Sequence, residues 1–311
     1  MSPRTLVPAV LAVATLFAGP AFAHGIAGDR LFVSTLLIDD PNVADEATVS
    51  QFQWMHLGQQ DGNGAPSQNL YSDYFEFDKT ITENFGFAVD NQYNWLHTDG
   101  AKSQSGLGDW ALTLKYKPYV NAEHEFMMSL GVIREFGRSG SAAFSGTTSS
   151  TTPTIYWGKG LGDLPIGYFR PFAVTGTFGY QFADQRYNLD TGAGATSLWV
   201  GGLSLQYSLL YLQTQVKDLG LPEVLNKVTP LVEVAWSSPG NRPNDGSQTQ
   251  YLIGAGAVYT STTYALSIEA LFPGNKATGT NVGVVAQVHL YFDDLLPHSL
   301  GTPIVNWFGA K

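Results

Sequence analysis

Apolar and polar side chains alternate with a period of two in segment after segment of this 311-residue chain, a pattern that demands strands rather than helices. Val282, Val284, Ala286, Val288, Leu290 and Phe292 share one register, whereas Gly283, Val285, Gln287, His289 and Tyr291 share the other. Trp199, Leu203, Leu205, Tyr207, Leu209 and Tyr211 oppose Gly202, Ser204, Gln206 and Ser208 in the same way. Phe172, Val174, Phe178, Tyr180 and Phe182 oppose Ala173, Thr175, Thr177 and Gln181. One face is large and apolar each time, and the other is small or polar. A soluble sandwich also alternates, so the choice between water and lipid rests on other features.

Strand spacing carries that choice. Segments fall at about 48–57, 70–79, 84–97, 107–118, 123–136, 153–158, 167–182, 196–215, 227–237, 249–260, 262–272 and 281–292. Most reach the roughly nine to eleven residues that a tilted transmembrane strand needs. Polar links rich in Gly, Ser, Asn and Asp follow the odd-numbered segments, as at 58–68, 137–152, 184–194 and 237–247. Tight links follow the second, fourth and tenth, as at Thr80-Ile81-Thr82-Glu83. Long loops on one side, short turns on the other and an even strand number characterise outer-membrane barrels. Trp54, Trp95, Trp110, Trp199 and Trp236 all fall at strand ends on the loop side. Trp157 falls at the turn side, with Tyr116, Tyr119, Tyr211, Tyr264 and Tyr291. Such rings prefer the headgroup level of a bilayer. Asn91 and Arg134 sit uneasily on apolar registers, and the short sixth segment and the long links 158–166 and 216–226 leave the count of twelve open by two.

Residues 1–23 read as a secretory signal: Arg4, an apolar stretch over 6–18, Pro20, and small residues around Ala21-Phe22-Ala23. Cleavage there starts the mature chain at His24. The expected organisation is a signal over 1–23, a periplasmic or lumenal segment over 24–47, a barrel over 48–292 and a periplasmic tail over 293–311. Beyond the leader no apolar run suffices for a transmembrane helix. The chain has no cysteine, which removes disulfides and thiolate metal sites. Asp and Glu outnumber Lys and Arg by 26 to 16 without a basic cluster, which excludes nucleic acid as a partner. Abundant glycine, 34 residues, and 13% aromatics suit curved strands with ring-bearing ends.

The inward register collects Glu76, Asp90, Asp109, Lys115, Lys117, Glu135, Glu233, Glu269, Gln287 and His289 as lumen-lining residues. They read either as a selective pathway or as an internal salt-bridge network filling a narrow barrel. Among six histidines, His56 and His97 stand at outer strand ends near Asp61 and Asp99, where a His–Asp pair could serve an outer-membrane hydrolase as general base. No nucleophile motif accompanies them, so no catalytic residue is assigned and no cofactor is expected. His24, with its freed α-amino group, is a candidate copper or zinc ligand, with Asp39 or Asp40 beside it.

Gly106-Leu107-Gly108-Asp109-Trp110, followed by Leu112, Leu114, Lys115 and Tyr116, resembles the signature of a large bacterial group of outer-membrane proteins named for the meta-pathway of phenol degradation. The turn at Thr82-Glu83-Asn84 and the stretch 269–294, with Pro273 and Gly279, resemble it as well, so the likeness covers roughly 70–292. It implies uptake of small, often aromatic compounds and transfers no catalytic residue. The resulting expectation is an all-β, twelve-stranded transmembrane barrel in a bacterial outer membrane. It would passively transport a small solute with modest cation preference, with membrane lipid and the barrel assembly machinery as partners. A rim hydrolase and a plugged structural barrel are the rivals.

Overall fold

The computed structural model describes residues 25–57, 66–185, 195–241 and 248–308. The expected leader 1–23, His24 and Asp61 lie outside the described residues. A short hairpin, β1 (Gly25–Ala27) and β2 (Arg30–Phe32), precedes the long strands. These are β3 (Glu46–Leu57), β4 (Gln68–Thr82), β5 (Phe85–Thr98), β6 (Gln104–Leu107), β7 (Trp110–Asn121) and β8 (Phe126–Phe136). They continue with β9 (Ser150–Gly160), β10 (Phe172–Ala183), β11 (Leu198–Tyr207), β12 (Val228–Pro239), β13 (Gln250–Thr260), β14 (Tyr264–Pro273) and β15 (Gly283–Tyr291). From β3 onward the chain runs as an antiparallel meander in which only β6 and β7 do not pair with each other, and β15 returns to pair with β3, closing the sheet on itself. β6 and β7 both pair with β5 and are one strand broken at Gly108-Asp109, so the barrel has twelve strands.

That break explains the misfit at Asn91. Its side chain donates to the Gly108 carbonyl at 3.2 Å and accepts from Gln92 N, taking the place of the interrupted ladder. Ser141 N, from the β8–β9 loop, donates to Leu107 O at 2.9 Å beside the broken strand. A membrane offers no other partner to such groups. Arg134 faces outward near the rim, where it pairs with Asp184 and donates to Thr151 Oγ1 at 2.8 Å.

Three expected segments differ from the observed strands. The sixth is a full strand over Ser150–Gly160, because Thr152 and Thr154 point inward and carry a polar face that resembles loop composition. The seventh begins only at Phe172, after a 3-10 turn over Gly167–Phe169. The eighth stops at Tyr207, where the Ser208 hydroxyl accepts from Tyr211 N and caps a helical turn. Tyr211 is therefore buried at the turn end of the barrel, and Tyr291 is buried as well, so neither joins a lipid-facing girdle.

Polarity is inverted relative to a water-soluble protein. Ser129, Thr175 and Ser204 are fully buried, whereas Ile268 is 58% and Val232 50% exposed on the outer wall. Val49, Leu114, Leu130, Ile155, Leu203 and Leu266 extend that apolar band, far beyond what a soluble monomer tolerates. Trp54, Tyr71 and Trp95 are cross-strand neighbours at the loop end, and outward Tyr116, Tyr119 and Tyr264 mark the turn end. The chain is a β-barrel of the bacterial outer membrane.

Candidate functional site: a lumenal plug and its cavity

Residues 25–45 run inside the barrel and are held by side chains from opposite walls. At the turn end of the barrel Arg30 is wholly buried, with Nε 3.1 Å from Glu125 Oε2. Its Nη1 donates to Pro171 O at 2.9 Å, Nη2 donates to Arg170 O, and the guanidinium stacks 3.8 Å above the Tyr211 ring. One planar cation thereby fastens the links after β7, β9 and β11 to the plug, a geometry that lysine could not reproduce. Phe32 packs with Ala27, Met127 and Ala173 just above it.

Further in, the plug has a dry side and a wet side. On the dry side Val33 and Leu36 join Leu231, Val258, Leu271 and Val285 in an apolar cluster. Glu233 Oε2 accepts the backbone N–H groups of Leu36 and Leu37 at 2.9 and 3.0 Å, and Gln51 donates to Leu36 O. Glu269 lies beside Glu233, and both of its oxygens lack a donor among the described residues.

The wet side faces a cavity of about 280 Å³ between residues 34–40 and the wall formed by β3, β4, β5 and β15. Asp39, Asp40, Glu46, Tyr74, Glu76, Gln287 and His289 line it. Lys115 reaches across from β7, 2.6 Å from Asp39 Oδ2, and also donates to Asp40 O. His289 Nε2 is 3.1 Å from Glu46 Oε2, and Tyr74 donates its hydroxyl to Glu76 at 2.5 Å. Enclosure by protein pushes the Asp39 carboxyl up to about 6, with Lys115 opposing and the neighbouring Glu76 and Glu46 reinforcing the rise. Asp40 is raised by the same burial.

The residues expected to line the lumen therefore have different occupations. Glu76, Gln287 and His289 line the cavity, and Asp90 is the cross-strand neighbour of Glu76. Lys115 and Lys117 grip the plug, Lys117 through Asn42 Oδ1 at 2.8 Å. Glu233 and Glu269 stand under its dry side. Glu135 is engaged by Ser150 and Gln181. Asp109 faces no open pathway; it accepts N–H groups of Ser139, Gly140 and Gly146 and the hydroxyl of Ser145, anchoring the β8–β9 loop. The plug's own Asp39 and Asp40, and Glu46 at its junction with β3, were absent from the inward set because residues 24–47 show no strand periodicity. Their one sequence signal is the Asp39-Asp40-Pro41 run.

His56 and His97 stand at the loop end of the barrel on either side of Asn69. The His97–Asp99 contact, at 3.7 Å, is open to solvent on both partners. Among the described residues no three His, Cys, Asp or Glu side chains converge as a metal site.

No protein-family model matches the chain, and no curated protein matches it. Solved structures do. An outer-membrane channel from Pseudomonas putida F1 superposes with a TM-score of 0.59 at 11% identity, over 84% of this chain and 99% of that one. The NanC porin gives 0.48 at 8% identity over 78% and 99%, and the KdgM porin 0.43 at 11% over 78% and 97%. At these identities only the shared barrel fold is shown, and it is carried by the first of the three.

Proposed function

We propose that the barrel passes small polar solutes across the outer membrane, with residues 25–45 restricting the passage. The observation that carries this reading is the wet cavity alongside a plug that polar contacts, rather than covalent bonds, hold in place. Asp39, Asp40, Glu46 and Glu76 give that route an acidic lining, and Lys115 and His289 balance it only in part. Low-dielectric walls focus the excess and favour cations over anions. The phenol-pathway resemblance would add aromatic compounds, for which the mixed charged lining offers less support than for polar ones. The exposed His97–Asp99 contact gives little support to a rim hydrolase. Membrane lipid and the barrel assembly machinery are the partners that such a barrel requires.

Planar-bilayer recordings test the reading. The mature chain should give small, cation-preferring currents, and a chain lacking residues 25–45 should give larger ones. If the shortened chain fails to fold, Arg30→Ala serves the same purpose with the segment retained. Silence from every folded variant would leave a plugged structural barrel as the better account.

A further inference from the structure

The apolar outer wall does not stop where the strands stop. The turn-end links after β4, β7 and β13 are short and polar: Glu83 and Asn84, residues 122–125, and Ser261-Thr262-Thr263. None of them carries an apolar side chain larger than alanine. The links after β9 and β11 are long and different. Residues 161–171 expose Ile166, Tyr168 and Phe169, and residues 208–227 expose Leu219, Val224 and Leu225. Ile166 is 58% and Val224 63% exposed, matching or exceeding Ile268 on the outer wall.

This exposed face is continuous with the lipid-facing wall. The Phe169 ring lies 6.1 Å from that of Phe172, which opens β10, and Phe172 lies 4.6 Å from Tyr207, which ends β11. Phe172 and Tyr207 share the outward register of Val174 and Leu205, opposite the buried Ala173 and Gln206. Tyr207 also donates its hydroxyl to Tyr168 O at 3.4 Å. The two links touch each other, since a Cβ added at Gly167 would lie 3.1 Å from Val216 Cγ1. Farther round, Lys227 O accepts Thr260 N at 2.9 Å, next to the outward Tyr259–Tyr264 ring pair. Rings and a cation at the end of an apolar wall are what the headgroup level of a bilayer favours.

The longer link also satisfies its own backbone. Gln213 Oε1 accepts Leu219 N at 2.7 Å, and Lys217 N donates to Leu212 O at 2.7 Å. Such internal pairing is what contact with lipid demands. Each link carries as many acidic as basic residues, and Glu223 is paired with Lys227 at 2.8 Å. A contiguous exposed apolar patch marks a membrane or a protein contact. Continuity with the wall and balanced charge favour the membrane.

We propose that residues 161–171 and 208–227 form a shelf lying in the membrane interface at the turn end, covered by the phospholipid of that leaflet. Headgroups meet Tyr168 and Lys227, and upper acyl chains meet Ile166, Phe169 and Val224. The same links supply Arg170 O, Pro171 O and the Tyr211 ring to Arg30, so lipid braces the clamp from outside.

The chain has no cysteine, so single nitroxide labels can be placed through Ile166→Cys and Val224→Cys. Val232→Cys on the outer wall and Glu123→Cys in the tight turn after β7 serve as references. The mature barrel is reconstituted in vesicles of phosphatidylethanolamine and phosphatidylglycerol, after each variant has been checked for resistance to dissociation before boiling. Power-saturation electron paramagnetic resonance compares relaxation by oxygen, which partitions into lipid, with relaxation by a water-soluble nickel chelate. Labels at Ile166 and Val224 should favour oxygen, as at Val232, whereas the label at Glu123 should favour nickel. Nickel preference at either shelf position overturns the proposal. So does dipolar broadening that disappears on dilution with unlabelled protein, which would assign the face to a second copy. If a variant fails to fold, Phe169→Cys or Leu225→Cys replaces it in the same link. Conductance enters none of these readings, so the shelf and the channel stand or fall separately.

Discussion

The two sides of the plug meet the same barrel and obey opposite physics. Toward β12–β15, Val33 and Leu36 bury apolar surface against Leu231, Val258 and Val285. Toward β3 and β4, Asp39 and Asp40 face a polar cavity. Both walls follow one rule of alternation, but the inward register of the dry wall carries Leu231, Val258, Leu271 and Val285, whereas that of the wet wall carries Thr48, Gln51, Ser72 and Glu76. Wall and plug therefore match, apolar to apolar and polar to polar. The dry side supplies attachment, through apolar burial and through the Glu233 carboxylate that accepts the Leu36 and Leu37 N–H groups. The wet side supplies selectivity, because its charges are only partly compensated and remain accessible. Attachment and selectivity should therefore respond to different substitutions.

The largest effect is expected at the clamp beneath both sides. Arg30→Ala strands Glu125 in a buried site, and breaking such a pair costs about 3–5 kcal/mol. The N-terminal segment should become sensitive to protease in folded barrels, with conductance rising in parallel. Persistent protection would mean that the clamp is dispensable.

Leu36→Ala removes apolar attachment and leaves every charge in place, although Leu36 also borders the cavity. Deleting a buried leucine costs about 2–5 kcal/mol, and the loss here falls on plug docking, since Leu36 is 5% exposed within the apolar cluster. Larger currents with unchanged ion preference are expected; a shift in reversal potential would join the two functions that the structure keeps apart.

On the wet side Asp39→Asn should do the converse. The Asp39 carboxyl is 44% exposed, so solvent screens its half of the pair with the buried Lys115. Lys115 also retains the Asp40 carbonyl and the Tyr156 ring. Cation preference should fall in a potassium chloride gradient while conductance changes little. In the unaltered protein Asp39, raised to about 6, is ionised above that pH and neutral below it. Cation preference should accordingly be greater at pH 7.5 than at pH 5, and weaker in high salt. Anion preference at pH 7.5 would contradict the assignment of the wet side.

The smallest effect belongs to the tail, which touches neither side of the lumen. Burial next to Asp45 and Glu46 pushes Asp293 up to about 8. A carboxyl raised in the folded state favours that state while protonated, and the benefit is lost as pH climbs through the folded value. Asp293→Asn should protect the tail from carboxypeptidase at pH 8.5 and make little difference at pH 5. Equal protection at both values would place the source of strain elsewhere.

The barrel was legible because alternation is local: two residues suffice to set a face, and Glu233, Glu269, Gln287 and His289 all fall on the inner one. The uses of those faces were not legible. Nothing near Lys115 in the chain indicates that Asp39 will be its partner, because the pairing is made by a plug with no periodicity crossing a closed barrel. Asp109 looked like a lining charge because the break at Gly108 keeps its parity while the β8–β9 loop claims its carboxylate. Tyr211 and Tyr291 were mistaken for interface rings because composition does not distinguish a ring facing lipid from one closing the barrel floor.

Lys79 bears on assembly. Its ammonium, 3% exposed, is 2.6 Å from Asp45 at the foot of the plug, and it also donates to the carbonyls of Leu300 and Thr302 in the tail. Trp307 lies 5.3 Å beyond. Asp45 leads directly into β3, which β15 must meet to complete the circle. Residues from both extremities of the described chain thus converge on one lysine next to the closing seam. That junction is complete only when the segment after β15 has reached it, so the seating of the plug's foot, the docking of the tail and the closing of the seam are coupled through one side chain.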